Sequence, residues 1–262
     1  MKIAVIGVGA MGGAMVEGFV KSGAFLPEDI TASAPHKTTL ERFSALGVNV
    51  TTDNKEAVEA ADIIVVAVKP WLAEDVLNEI KPLIDYQRQS IVSVMAGVGS
   101  EKMKNIMRRD DDSLPQMFIV IPNIAIAVLS SMTFITAVTA DEASINRLKG
   151  IFEKTGQALV VDERQLSAGM VLASCGIAYA MRYIRASTEG GVELGFKARE
   201  AQCIVEQTVR GAVDLLHVTG SNPETEIDKV TTPAGITIRG LNEMEHAGFT
   251  SAVIRGLKAG LK

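Results

Sequence analysis

The segment Val230–Leu241 has the residue types of an anion-binding site: hydroxyl side chains, a rigid turn and the start of a helix. Pro233 and Gly235 predict the turn, and helical spacing follows it from Ile236 to about Ala247. The first N–H groups of a helix have no partner within the helix, and here they lie close in sequence to the hydroxyls of Thr232 and Thr237. Such a segment can bind a carboxylate or a phosphate. Considered alone, the same pattern is more often a simple helix cap.

The beginning of the chain has the pattern strand, glycine turn, helix. Residues 2–6 form a short run rich in β-branched side chains, and a helical pattern continues through Lys21. Gly7 permits the tight turn, Gly9 lets a pyrophosphate approach the backbone, and Gly12 allows close packing of the helix on the strand. The pattern therefore predicts dinucleotide binding at the N-terminus of this helix. The predicted phosphate contacts are Gly7, Gly9, Ala10, Met11 and Gly12.

The end of the next predicted strand, residues 30–34, bears on the choice of cofactor. An NAD-binding domain usually places an acidic residue there against the ribose hydroxyls, and this chain has none. Hydroxyl and cationic side chains that can hold a 2′-phosphate stand there instead, which favours NADP over NAD. These side chains are Ser33, His36, Lys37 and Thr38. Because no arginine is present for a bidentate contact, a solvated turn remains the alternative.

Length and composition bound the fold and the class of partner. With 262 residues, 47% of them hydrophobic and 22% charged, the chain is expected to form two globular domains with ample core. A net charge of −5 without a dense Lys/Arg run argues against nucleic acid as the main partner. A small-molecule substrate is therefore expected.

Several features predict a cytoplasmic protein. The chain begins directly with a strand, so no cleavable signal segment is expected, and the most apolar helical pattern, residues 168–181, is too short to cross a bilayer. Cys175 and Cys203 lack metal-ligand spacing and a nearby histidine, so no metal site is predicted. Both are expected to be reduced and buried.

Apolar runs with strand character recur along the first half and alternate with helical patterns. They cover residues 62–68, 90–94, 117–121, 132–136 and 158–161. This alternation predicts a doubly wound α/β fold, in which helices cover both faces of a mostly parallel sheet. Long helical patterns then follow, at residues 163–196, 198–219, 223–230 and 236–260. We therefore expect a domain boundary near residue 162.

Ligands of open parallel sheets bind beyond the carboxyl ends of the strands, and three such ends carry candidates. They are Ala67-Val68-Lys69-Pro70, Ala96-Gly97 and Ile121-Pro122-Asn123. Lys69 faces either a cofactor phosphate or solvent. Asn123 either orients the nicotinamide or the substrate, or forms a turn after Pro122; the local sequence favours the turn.

Together these segments resemble the pyrroline-5-carboxylate reductase family over nearly the whole chain. The most specific is Val230-Thr231-Thr232-Pro233-Ala234-Gly235-x-Thr237, which is similar to the family signature. The resemblance implies a Rossmann domain of residues 1–162 that binds NADP, or NAD as the alternative. It also implies a helical dimerisation and substrate-binding domain of residues 163–262. We then expect a homodimer or a higher oligomer of dimers, with each active site formed where one subunit's helices meet the other's cofactor domain.

The reaction that the resemblance implies is hydride transfer from NADPH or NADH to the C=N carbon of 1-pyrroline-5-carboxylate, the last step of proline biosynthesis. A protonated ring imine is already electrophilic, so the protein must position two reactants and exclude water. His217 and His246 then need no catalytic role. By resemblance, Thr237 is the catalytic candidate that hydrogen-bonds the ring nitrogen. The implied substrate-binding residues are Asn123, Thr232, Gly235, Ile236 and Thr237.

Two segments depart from the family pattern. Relatives commonly have Met-Pro-Asn-Thr-Pro where this chain has residues 121–125, so Ile124 replaces a threonine. Relatives commonly have Ser-Gly-Ser-Gly-Pro-Ala-Tyr where this chain has residues 173–179, so Ile177 replaces a proline. A straighter helix and a more apolar pocket are expected. Two alternatives stay open: an NADP-dependent dehydrogenase or imine reductase acting on another small carboxylate, and a cofactor-binding paralogue with weak catalysis.

Overall fold

The computed structural model describes residues 1–261, which divide into a compact unit of residues 1–174 and a second unit from residue 175 onward. The first unit extends past the boundary expected near residue 162. Helix α7 (Glu163–Gly169) contributes the buried Leu166 to its core. A Cβ atom at Gly169 would lie 2.9 Å from the ring of Phe134, so this helix packs directly on the strand that carries Phe134.

A single sheet organises the first unit. Its strands are β1 Ile3–Ile6, β2 Ile30–Ser33, β3 Asn49–Thr51, β4 Ile63–Val66, β5 Ser90–Ser93, β6 Gln116–Ile121, β7 Ser131–Ala137 and β8 Gly156–Val160. Within the described residues the order across the sheet is β3-β2-β1-β4-β5-β6-β7-β8. All neighbours pair in parallel except β6 and β7. Strand β3 was not predicted, because it is a short edge strand whose Val50 is exposed.

Helices cover both faces of this sheet, as expected for a doubly wound fold. They are α1 Ala10–Lys21, α2 Lys37–Ser44, α3 Asn54–Glu59, α4 Ala73–Ile80, α5 Ser100–Met107, α6 Glu142–Glu153 and α7. Alternate side chains of β1 enter opposite cores: Ile3 and Val5 join one, and Ala4 and Ile6 join the other. Strands buried on both faces read as continuous apolar runs, which is why they could be predicted.

The second unit is helical. Its helices are α8 Gly176–Glu193, α9 Ala198–Thr219, α10 Pro223–Lys229, α11 Ile236–His246 and α12 Phe249–Ala259. Helix α11 ends at His246, close to the end expected near residue 247, and Gly248 with a φ of +83° separates it from α12 within the helical pattern of residues 236–260. Between α8 and α9, a Cβ atom at Gly191 would lie 2.9 Å from the Cβ of Ala201, so these two helices pack closely at this point.

The turns that precede α8 are wider than those of an α-helix. Residues Met170–Cys175 form a π-helical segment, a geometry associated with bends and with functional positions. This segment ends immediately before α8, in which Ile177 occupies the position where relatives commonly have proline.

The cysteines differ from the prediction. Both are free thiols, but Cys203 is exposed and Cys175 only half-buried. Many apolar side chains of the second unit are exposed as well, including Met181, Val213 and Val253. Among residues 1–261, no helix combines the length and the apolar character needed to span a membrane.

Candidate functional site

The glycine turn between β1 and α1 has the geometry predicted for it. Gly7 has a φ of +92°, and a Cβ atom there would lie 2.8 Å from Cγ1 of Val68. A Cβ atom at Gly12 would lie 2.2 Å from the carbonyl oxygen of Gly7. Both positions therefore require glycine for the fold itself. At Gly9, by contrast, no atom lies within 4 Å of the Cβ position, so the backbone is open to a ligand.

Helix α1 begins without a side-chain cap and without an acidic residue in its first turn. Its first N–H groups and the positive end of its dipole are thus available to an anion. Ala10 is exposed and Met11 half-buried at this end. A phosphate-binding turn needs this combination of an open backbone and unused N–H donors.

An arginine that the local sequence did not suggest lies beside this turn. A Cβ atom at Gly13 would lie 2.2 Å from a guanidinium nitrogen of Arg42, which also pairs with Glu17 at 3.4 Å. Arg42 stacks over the ring of Phe43 with 4.4 Å between its Cζ and the ring centroid. Five positions separate Arg42 from Lys37 in the chain, and only the packing of α2 on α1 reveals that Arg42 reaches the first turn of α1.

The backbone at the end of β2 holds the glycine turn through hydrogen bonds. The carbonyl oxygen of Ser33 accepts hydrogen bonds from the N–H groups of Gly7 (2.8 Å) and Val8 (3.3 Å). The Ser33 side chain is fully buried, and its hydroxyl donates to Oδ1 of Asn54 at 2.7 Å. Asn54 in turn donates to Oε2 of Glu79 at 2.8 Å. Ser33 therefore does not present its hydroxyl to solvent, in contrast to the prediction that it receives a phosphate.

The other predicted side chains at the end of β2 are accessible. His36, Lys37 and Thr38 are exposed at the start of α2, and His36 occupies the N-cap position without capping the helix through its side chain. Asn54 and Glu79, which form the hydrogen-bond chain that begins at the Ser33 hydroxyl, were not predicted from the sequence. The only local signal was the side-chain cap that Asp53 gives to α3, which places Asn54 at the start of that helix.

The ends of β4 and β5 lie next in the sheet, on the same edge as the glycine turn. Ala67 and Val68 are half-buried, while the side chain of Lys69 is exposed. Pro70 opens a 3-10 turn, Pro70–Leu72. Ala96 and Gly97 form an exposed turn in which Gly97 has a φ of +78°. The tertiary structure therefore brings the predicted cofactor residues of four strand ends to one edge.

Asn123 at the end of β6 acts as a turn residue. Its Oδ1 accepts the N–H of Ala125 at 3.0 Å and so caps the 3-10 helix Ile124–Val128. Its Nδ2 donates to the carbonyl oxygen of Ala173 at 3.4 Å, and its side chain is buried. Ile124 is 46% exposed, so the substitution from the family pattern presents an apolar side chain beside this cap.

The hydroxyl-rich segment in the second unit forms a turn from Thr232 to Gly235, closed by a hydrogen bond of 2.9 Å from the Gly235 N–H to the Thr232 carbonyl. The residue with positive φ is Ala234 (+57°) rather than Gly235. Pro233 followed by a residue with positive φ is the pattern of a type II turn. Gly235 is required for a different reason: a Cβ atom there would lie 2.5 Å from Oγ1 of Thr232.

This turn leads into α11, which has no side-chain cap and no acidic residue in its first turn. Thr232, Ile236 and Thr237 are exposed. Because the Gly235 N–H is used by the turn, the donors for an anion are the N–H groups of Ile236 and Thr237 and the neighbouring hydroxyls. The candidates for substrate binding in this segment thus all lie in the second unit, and the cofactor candidates all lie in the first.

Comparison with known proteins places the chain in a family. A family model described as "Pyrroline-5-carboxylate reductase dimerisation" matches residues 163–262, and one described as "NADP oxidoreductase coenzyme F420-dependent" matches residues 2–97. The pyrroline-5-carboxylate reductase of Methanosarcina acetivorans is 34% identical over 260 residues, covering 97% of this chain and 94% of that protein. The chain belongs to the pyrroline-5-carboxylate reductase family. The resemblance drawn from the sequence is confirmed.

One further relative bears on the length of this chain, and one solved structure bears on its fold. Pyrroline-5-carboxylate reductase 1 of Dictyostelium discoideum is 39% identical over 97% of this chain, but the chain spans only 48% of that protein. The crystal structure of Plasmodium falciparum pyrroline carboxylate reductase with NADP bound has a TM-score of 0.88 at 25% identity, and the match covers 100% of this chain and 95% of that one. The predicted fold, a Rossmann sheet followed by a helical domain, is confirmed.

Proposed function

We propose that this chain is an NADPH-dependent pyrroline-5-carboxylate reductase that forms L-proline from 1-pyrroline-5-carboxylate. The observation that carries the proposal is the presence in one chain of an open glycine turn and the intact threonine signature, within a family whose member from M. acetivorans matches it almost end to end. The chain is thus an oxidoreductase acting on a C=N group. The bound NADPH supplies the hydride; the protein must bind, orient and shield the reactants.

The first unit fits a dinucleotide. The open Cβ position at Gly9 and the uncapped N-terminus of α1 suit a pyrophosphate, held by the N–H groups of Ala10 and Met11. The exposed His36, Lys37 and Thr38 would hold the 2′-phosphate, which supports NADPH over NADH. Ser33 would contribute by holding the glycine turn through its carbonyl. The nicotinamide end would extend along the ends of β4 and β5, past Ala67, Val68, Lys69, Pro70, Ala96 and Gly97.

The second unit would hold the substrate. The carboxylate of 1-pyrroline-5-carboxylate would accept hydrogen bonds from the Thr232 hydroxyl and from the N–H groups of Ile236 and Thr237. Gly235 keeps the turn close enough for these donors to converge, because any side chain there would collide with Thr232. The Thr237 hydroxyl would hydrogen-bond the ring nitrogen and hold the imine in one orientation. Asn123, the remaining candidate for substrate binding, caps the 3-10 helix Ile124–Val128 of the first unit.

Assembly and location belong to the same proposal. A homodimer, or an oligomer of dimers, would form through residues 163–262, which match the dimerisation family model and carry exposed apolar side chains. Residues 1–162 would bind the cofactor. A cytoplasmic location is supported by the two free thiols, which suit a reducing compartment. Light scattering of the purified protein measures the assembly directly, and a monomer at micromolar concentration would contradict it.

The decisive experiment is steady-state oxidation of NADPH and NADH with 1-pyrroline-5-carboxylate, with proline identified as the product. Saturable turnover to proline, faster at low NADPH than at low NADH, is the expected result. Binding of NADPH without proline formation would reject the substrate assignment, and the same assay with other cyclic imines and oxo acids would then search for the substrate.

A further inference from the structure

Glu163, the first residue of α7, caps a helix that lies far from it in the chain. Its Oε1 accepts the backbone N–H of Ser100 at 2.8 Å, and its Oε2 accepts the Ser100 hydroxyl at 2.5 Å. Ser100 is the first residue of α5, and Gly99 before it has no side chain to cap that helix. A carboxylate at this end also interacts favourably with the helix dipole. Glu163 therefore supplies the cap that the local sequence lacks.

The capped helix begins just after the Ala96-Gly97 turn. Met95 and Val98 on either side of this turn are buried, while Ala96 and Gly97 are exposed. A cavity of about 250 Å³ is lined by this turn and by Leu166 of α7, together with Met170. Packing therefore does not hold the turn on that side. The hydrogen bonds of Glu163 fix the chain immediately after it.

The contact between Gly99 and the Glu163 carboxylate is tight. A Cβ atom at Gly99 would lie 3.1 Å from Oε1 of Glu163, which is closer than most such contacts allow. The Ser100 hydroxyl and, to a smaller extent, the Ser100 N–H donate hydrogen bonds that lower the pKa of the Glu163 carboxyl. The carboxylate is thus charged at neutral pH, and its displacement would break both hydrogen bonds with Ser100.

We propose that Glu163 is a positioning residue for the nicotinamide end of the cofactor, acting through Ser100 on the Ala96-Gly97 turn. This inference rests on the proposed function, because that function places the nicotinamide end at this turn. Glu163 itself need not touch the cofactor. Its effect is expected to fall on the nicotinamide half of the dinucleotide and to spare the adenosine half, which is bound at β1 and β2.

The test compares two ligands on the full-length protein. NADPH spans the whole site, whereas 2′,5′-ADP occupies the adenosine half alone. Glu163→Ala is expected to raise the Kd of NADPH by about tenfold and to lower kcat, because a turn displaced by about 1 Å misplaces the reacting carbon. The Kd of 2′,5′-ADP should stay unchanged. Glu163→Gln should restore part of the loss, since its amide can still accept the Ser100 N–H and donate to the hydroxyl.

Two further variants keep the test valid should Glu163→Ala fail to fold. Ser100→Ala removes one of the two hydrogen bonds, and Gly99→Ala places a methyl group against the carboxylate. Both variants should raise the Kd of NADPH by less than Glu163→Ala does and leave the Kd of 2′,5′-ADP unchanged. The control is Glu101→Ala, which removes an exposed carboxylate from the same first turn of α5 and should change neither Kd.

Equal losses for NADPH and 2′,5′-ADP, or no loss for either, would overturn the positioning role. The binding measurements do not require turnover. A wild-type protein that binds NADPH but makes no proline would therefore reject the proposed substrate, while the effects of the variants on the Kd of NADPH and of 2′,5′-ADP would still test this inference. A wild-type protein that binds neither ligand would reject both.

Discussion

The glycine turn allows binding and folding to be separated with two single substitutions. Gly9→Ala and Gly12→Ala add the same methyl group three positions apart. At Gly12 the added carbon meets the carbonyl oxygen of Gly7 at 2.2 Å, whereas at Gly9 it meets nothing within 4 Å. The structure therefore predicts a folding defect for one variant and a binding defect for the other.

The distances set the size of each effect. At Gly12 the contact must lengthen from 2.2 Å to at least 3.0 Å, so the start of α1 must retreat by about 0.8 Å from β1. Overpacking of this kind costs roughly 1–3 kcal/mol. For a chain of this size the melting temperature should fall by roughly 3–10 °C.

At Gly9 the methyl group enters the space that a pyrophosphate needs. Loss of one hydrogen bond to a charged group costs roughly 1.5–3 kcal/mol. The Kd of NADPH should therefore rise about 10- to 100-fold. Gly9 has a φ of −71°, which lies outside the left-handed region that favours glycine. The stability of Gly9→Ala should change by no more than about 1 kcal/mol in either direction.

Thermal unfolding followed by circular dichroism measures the first effect, and NADPH titration by calorimetry at a temperature well below both melting transitions measures the second. A Gly9→Ala protein that binds NADPH like the wild type would refute close approach of the pyrophosphate at this position. A Gly12→Ala protein with an unchanged melting temperature would refute the steric argument.

Three other outcomes are expected. Thr237→Val should lose most turnover while keeping its melting temperature, and Thr237→Ser should keep much of the activity; equal kcat in both variants would remove the hydroxyl from the mechanism. Lys37→Glu should weaken NADPH binding more than NADH binding, since only NADPH carries the 2′-phosphate, and equal losses would place Lys37 elsewhere. Hydrogen bonding from the Lys2 N–H, together with Arg88, lowers the pKa of Asp62. This contribution to stability is present above about pH 3.9 and is lost as the pH falls through the lower pKa of the folded state. The difference in melting temperature between wild type and Asp62→Asn should therefore shrink from pH 7 to pH 3. A difference that stays constant would contradict a stabilising role for the charged Asp62 carboxylate.

Most of the fold could be predicted because its elements are specified locally. Buried strands such as β4 consist of consecutive apolar residues, and the glycines of the first turn are imposed by backbone geometry at Gly7 and Gly12. Strand β3 escaped prediction, because an edge strand of three residues with an exposed valine leaves no periodic signal. The end of α11 near residue 247 could be predicted, but only the backbone shows that Gly248 has a positive φ and separates α11 from α12.

The features of the candidate site also divide into those that nearby residues specify and those that only packing in three dimensions creates. The sequence by itself determined the glycine turn, the start of α11 after Gly235 and the family, since each depends on residues a few positions apart. Only the tertiary structure decided that the Ser33 hydroxyl is buried against Asn54, that Arg42 lies against Gly13, and that Ala234 rather than Gly235 takes the left-handed conformation. It also decided that Glu163 caps α5 from 63 positions away. Hydrogen bonds and steric contacts depend on distance in space, and packing brings together groups whose separation along the chain carries no trace of their contact.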